Sequence, residues 1–124
     1  MPEQTKNWFQ SRLLQWLLPN LGSILWCSLF VGAILLGPRM MNMDGDLGRH
    51  LVMGADILQN MRIPTTDHYS HSMYGQPLTP HEWLSEVLFA LAEKAAGLDG
   101  VVILSAVVIA TAFWLVYRLA LRRS

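Results

Sequence analysis

Two carboxylates and an imidazole fall within seven residues in Asp44-Gly45-Asp46-Leu47-Gly48-Arg49-His50. A second histidine–carboxylate pair, His81-Glu82, opens the stretch His81-Glu82-Trp83-Leu84-Ser85-Glu86 roughly thirty residues later. Carboxylates and imidazoles are the groups that hold or move protons near neutral pH, and carboxylate oxygens also suit hard divalent cations. The first cluster lies just beyond a long apolar run that ends at Gly37-Pro38, and the second just before another. Titratable groups placed where a chain leaves a membrane point to chemistry at the bilayer surface.

The elements that must position them follow from hydropathy. The chain is 52% hydrophobic and 15% charged, which is apolar for a soluble domain and ordinary for a small membrane protein. Nine basic and nine acidic residues cancel, so no net field points to nucleic acid. Their distribution is uneven. Eight of the nine acids lie between Pro38 and Gly100, while Lys6, Arg12, Arg118, Arg122 and Arg123 flank the two apolar runs. Basic ends around an acidic middle fit the positive-inside rule, with both termini cytoplasmic and residues 38–99 outside. The lone cysteine, Cys27, excludes an intrachain disulfide and falls inside an apolar run.

Residues 1–20 form an amphipathic lead-in on the cytoplasmic side, with Trp8 and Trp16 as interfacial anchors and Pro19 as a break. Residues 21–37 carry no charge and make an uncleaved first transmembrane helix, since no small-x-small cleavage site follows. A surface helix is expected over about 46–61, with an apolar stripe of Leu47, Leu51, Ile57, Leu58 and Met61, ended by Pro64. Residues 64–80 read as loop, with a turn at Gly75-Gln76. Thr79-Pro80 starts a second surface helix over about 80–96, ending at Gly97. Its apolar face is Trp83, Leu84, Val87, Leu88, Leu91 and Ala95, and Glu82, Glu86 and Glu93 lie opposite. Residues 100–121 form the second transmembrane helix, and 122–124 a cytoplasmic tail. The expected fold class is thus an all-α membrane protein: two transmembrane helices joined by an extracytoplasmic loop with two amphipathic juxtamembrane helices.

This order of parts, with Asp44-Gly45-Asp46 at the outer surface, resembles the start of a GT-C superfamily membrane glycosyltransferase. The runs Gly54-Ala-Asp-Ile-Leu, Arg62-Ile-Pro-Thr-Thr-Asp-His-Tyr-Ser and His81-Glu-Trp-Leu-Ser-Glu carry the resemblance further along the chain. Such polytopic enzymes, protein mannosyltransferases and aminoarabinose transferases among them, use polyprenyl-phosphate sugars and carry an essential carboxylate in the first external loop. The resemblance implies an N-terminal module in a bacterial inner membrane, inactive alone and completed by further membrane-spanning segments or subunits. Its partners would be the bilayer and a lipid-linked sugar, not nucleic acid.

On that resemblance Asp44 is the candidate base, and Asp46 a second acid, a metal ligand or a helix cap. His50, four residues after Asp46, is either an active-site imidazole oriented by a carboxylate or an interfacial histidine held by a neighbour. Arg49, His81 and Glu82 are candidate substrate contacts; Arg49 also suits a surface ion pair, and Glu82 a capping box. Mg²⁺ or Mn²⁺ would sit on Asp44 and Asp46. The alternative from another class is a small non-catalytic membrane subunit that binds lipid or a partner membrane protein.

Overall fold

The computed structural model describes residues 20–123. The expected lead-in therefore lies, apart from Asn20, outside the described residues. Among the described residues three helices account for most of the length: α1 (Leu21–Met43), α2 (Leu47–Asn60) and α3 (Trp83–Arg123). α1 and α3 are both long and apolar enough to cross a membrane.

Asn20 caps α1, its side-chain oxygen accepting from the Ser23 amide at 2.8 Å. The helix does not stop at Gly37-Pro38 but runs through Pro38 to Met43. Proline removes one hydrogen bond and crowds the preceding turn. In apolar surroundings, however, a helix remains the cheapest way to satisfy the backbone groups that follow. At 23 residues α1 is about 34 Å long, enough for a typical hydrocarbon core.

α3 is two helices that meet at a kink where Ala96 (φ −148°) and Gly97 (φ 64°, ψ −156°) leave helical geometry, the place where the second surface helix was expected to end and the second span to follow. Glycine is the residue that takes such a conformation without a steric penalty. The helix begins at Trp83, later than Thr79-Pro80, and residues 81 and 82 form a turn in front of it.

α1 and α2 each pack against α3. α1 runs antiparallel to the arm of α3 beyond the bend, with Trp26 Nε1 donating to Thr111 Oγ1 at 3.1 Å. Gly37 lies against Val102, and Gly22 against Trp114 and Tyr117. α2 packs on the arm before the bend, where Gly54 meets the Glu86 backbone and Ala90.

The buried seam is made largely of small side chains: Ala90, Ala106 and Ala110 with Gly22, Gly54 and Gly100. Small residues let helix backbones approach, and dispersion contacts then hold the pair. Met53, Ile57, Val101 and Val102 are buried with them, while many of the larger apolar residues point outward, as at Leu35, Leu88, Leu91 and Val116.

The buried face of α2 is close to that expected, with Ile57 buried and Leu47, Leu51 and Leu58 half-buried, whereas that of the first arm of α3 is not. Met53, Gly54 and Ile57 form the buried face of α2, while Met61 is 84% exposed. On α3, Glu86 and Ala90 turn inward, and Trp83, Leu84, Leu88 and Leu91 turn out. Periodicity had placed Glu86 on the outer face. Close backbone approach through Gly54 and Ala90 selects the opposite one.

Candidate functional site

Asp44 terminates α1, where its amide donates to the Met41 carbonyl at 3.2 Å. Its carboxylate accepts the amide of Asp46 at 3.0 Å and so shapes the turn into α2. Asp46 precedes α2 but its own side chain caps nothing. Asp46 Oδ1 instead lies 3.8 Å from Arg49 Nε, an exposed pair of small energetic weight. The Asp44 carboxylate is thus engaged with the Asp46 amide, and the Asp46 carboxylate faces Arg49.

Asp44 also stands at the rim of a cavity of about 530 Å³ between α1, the start of α2 and α3. Gly37, Met40, Leu47, Phe89, Val102 and Ile109 are among its walls. Among the described residues Asp44 is the one ionisable side chain lining it.

His50 does not pair with Asp46 through its ring. Its amide donates to the Asp46 carbonyl at 3.1 Å as part of the helix. The imidazole crosses to α3, with Nδ1 at 3.1 Å from Glu86 Oε1 and Nε2 at 3.7 Å from Glu82 Oε2. His50 and Gly54 are four residues apart on one face of α2, so the glycine that brings the backbones together also brings the ring to the carboxylate. Glu82 and Glu86, again four apart, lie on one face at the start of α3. The Glu86 amide donates to the Glu82 carbonyl at 3.0 Å, and so does Ser85 Oγ at 2.8 Å.

Glu86 is 2% exposed, and its Oε2 is buried without a hydrogen-bond partner among the described residues. Its place in the first turn of α3 favours a negative charge, because the helix dipole is positive there. Glu82 is open to solvent, with its side chain 63% exposed. One donor atom from each of His50, Glu82 and Glu86 lies within 4.8 Å of the others.

The segment after α2 folds back onto that helix. Asp67 donates its amide to the Gln76 carbonyl at 2.8 Å and accepts the Gly75 amide at 2.7 Å. The Leu78 amide donates to Thr65 at 2.8 Å, and Thr66 and Pro77 form an antiparallel bridge. Gly75, with φ 80°, makes the turn. Within it the Asp67 carboxylate accepts from the Ser70 hydroxyl, the Ser70 amide and the Tyr69 amide. These bonds, the Ser70 hydroxyl foremost, hold the Asp67 carboxyl below its ordinary range.

Tyr69 reaches back to α2, its hydroxyl donating to Asp56 Oδ2 at 2.6 Å. Burial first, then the bond to Asp56 and the charges of Asp56, Glu86 and Asp67, push the phenol well above its usual range. The Asn60 side-chain amide donates to the other Asp56 oxygen at 2.6 Å. Asp56 and Tyr69 were not singled out from sequence, since nothing in their spacing shows that the loop doubles back.

The candidate residues thus fall into two places. Asp44 and Asp46 occupy the α1–α2 turn, and Arg49 turns to Asp46. His50 and Glu82 meet Glu86 between α2 and α3. His81 is exposed, and His68 packs edge-on against Tyr74, with ring centroids 5.6 Å apart. Comparison with protein-family models, with curated protein sequences and with solved structures found no match to this chain.

Proposed function

We propose that the chain is the N-terminal module of a GT-C-like membrane glycosyltransferase that takes a sugar from a polyprenyl phosphate at the outer face of a bacterial inner membrane. The observation that carries this reading is Asp44, a single carboxylate on the rim of an otherwise uncharged groove between two helices of membrane-spanning length. An apolar groove suits a prenyl chain, and a carboxylate at its mouth suits the hydroxyl that attacks the sugar beside the lipid phosphate. The outward leucines, valines and phenylalanine of α1 and α3 suit lipid or further spans. The basic residues that close α3 suit a cytoplasmic end.

In this reaction the acceptor oxygen forms a bond to the anomeric carbon while the bond from that carbon to the phosphate oxygen breaks. The phosphate leaves with the electron pair, and Asp44 takes the acceptor proton. Arg49 is one turn into α2 and half-exposed, able to offer charge to the departing phosphate. His81 and Glu82 would face the sugar or acceptor from the start of α3. Further spans complete the donor pocket, and this module is inactive without them.

The test is Asp44→Asn in the full-length membrane protein, assayed in membranes with radiolabelled polyprenyl-phosphate hexoses. Transfer should fall at least a hundredfold with membrane abundance unchanged. Retained transfer would remove Asp44 from the mechanism. Absence of transfer by the unaltered full-length protein would instead favour a non-catalytic membrane subunit that binds lipid or a partner.

A further inference from the structure

We propose that His50, Glu82 and Glu86 bind one divalent cation, Zn²⁺ or Mn²⁺, at the junction of α2 and α3. The site is distinct from the Asp44-Asp46 turn. The inference does not rest on sugar transfer, because its readout is metal binding by this chain.

Two independent observations support it. One nitrogen or oxygen from each residue lies within 4.8 Å of the others. Ligands about 2.0–2.2 Å from a tetrahedral zinc ion stand about 3.3–3.6 Å apart. A closure of up to about 1.2–1.5 Å brings all three into range, and the solvent-exposed Glu82 side chain is free to supply it. Separately, Glu86 Oε2 is buried without a donor, inside a residue that is 2% exposed. A buried carboxylate oxygen with no donor is costly.

The hydrogen-bond arrangement makes the deficit sharper. In the neutral tautomer whose Nδ1–H donates to Glu86, the Nε2 lone pair faces the Glu82 carboxylate at 3.7 Å. Two acceptors then confront each other, with the orphaned Glu86 oxygen as a third. Arg49, the neighbouring cation, is engaged with Asp46 instead.

One imidazole and two carboxylates form a mixed nitrogen–oxygen donor set. That set favours Zn²⁺ or Mn²⁺ over the all-oxygen preference of Mg²⁺ and Ca²⁺. Two carboxylates neutralise the ion, and three protein ligands leave at least one position for water or a phosphate oxygen.

The experiment uses the purified chain in detergent, stripped with EDTA and dialysed. It is titrated with Mn²⁺, followed by the paramagnetic resonance of the free ion, and with Zn²⁺, followed by calorimetry. One equivalent of at least one of the two should bind. Glu82→Gln, at an exposed position, should weaken that binding at least tenfold with the helical circular dichroism unchanged. Metal should also raise the unfolding temperature of the unaltered chain and not that of Glu82→Gln. No one-to-one binding of either ion would overturn the proposal, with a protonated His50 then serving as the cation between the two glutamates. Binding by Glu82→Gln within tenfold of the unaltered chain would overturn it equally.

Discussion

The imidazole of His50 on α2 and the buried carboxylate of Glu86 on α3 meet at 3.1 Å, Nδ1 to Oε1, thirty-six residues apart in the chain. This contact ties the segment after α1 to the start of α3. It joins a residue singled out for its chemistry to one that periodicity placed on the outer face.

Removing one partner should cost far more than removing both. His50→Ala leaves the buried Glu86 carboxylate without its ring partner, and leaving a buried polar group unsatisfied typically costs about 1–3 kcal/mol. The double variant His50→Leu/Glu86→Leu, of similar bulk and uncharged, should recover most of that loss. Denaturant unfolding in detergent, followed by circular dichroism, measures both. Equal destabilisation in the single and double variants would show that the contact holds no charge in place.

Two glycines of α2 should respond in opposite directions to the same methyl group. A β-carbon at Gly54 would overlap the Glu86 carbonyl oxygen, so Gly54→Ala must push α2 away from α3, at about 1–3 kcal/mol. At Gly48 a β-carbon meets nothing within 4 Å, and Gly48→Ala should stabilise by about 0.4–1 kcal/mol. The same unfolding measurement compares them. In Gly54→Ala the His50 ring resonances should also shift, since the ring loses its register with Glu86.

Tyr69 should ionise later than the other tyrosines. Its neutral form is favoured in the fold by burial and by the bond to Asp56, so its folded pKa lies above its unfolded value. The stability it contributes is fully present below the ordinary tyrosine range near 10 and is lost as pH rises towards the folded value. A spectrophotometric titration near 295 nm should show a phase delayed beyond that range, absent in Tyr69→Phe. In Asp56→Asn that phase should move down, because the acceptor loses its charge. A delayed phase that survives Tyr69→Phe would assign it to another residue.

Much of the architecture is legible in the residues alone. The uncharged runs on either side of the acidic middle mark two helices of membrane-spanning length. Gly75 marks the turn in the loop, and Gly97 the point where the helical path breaks. Pro38 misleads, because local propensity counts its lost hydrogen bond and not the helical continuation on either side. Glu86 misleads for another reason. A helical wheel sorts residues into faces by polarity, and here the polar-looking face contains the small residues that allow closest approach.

Types and spacings along the chain by themselves determined which segments are helical and apolar, where the turns fall, and that carboxylates and imidazoles gather between the two apolar helices. These are short-range properties of hydropathy, glycine, proline and charge. Only the tertiary structure decided which face of each helix is buried, that His50 turns from Asp46 to Glu86, and that Tyr69 returns to Asp56. Those outcomes depend on how closely two backbones approach. The missing side chain of Gly54 acquires its meaning only when Glu86 and Ala90 stand opposite it.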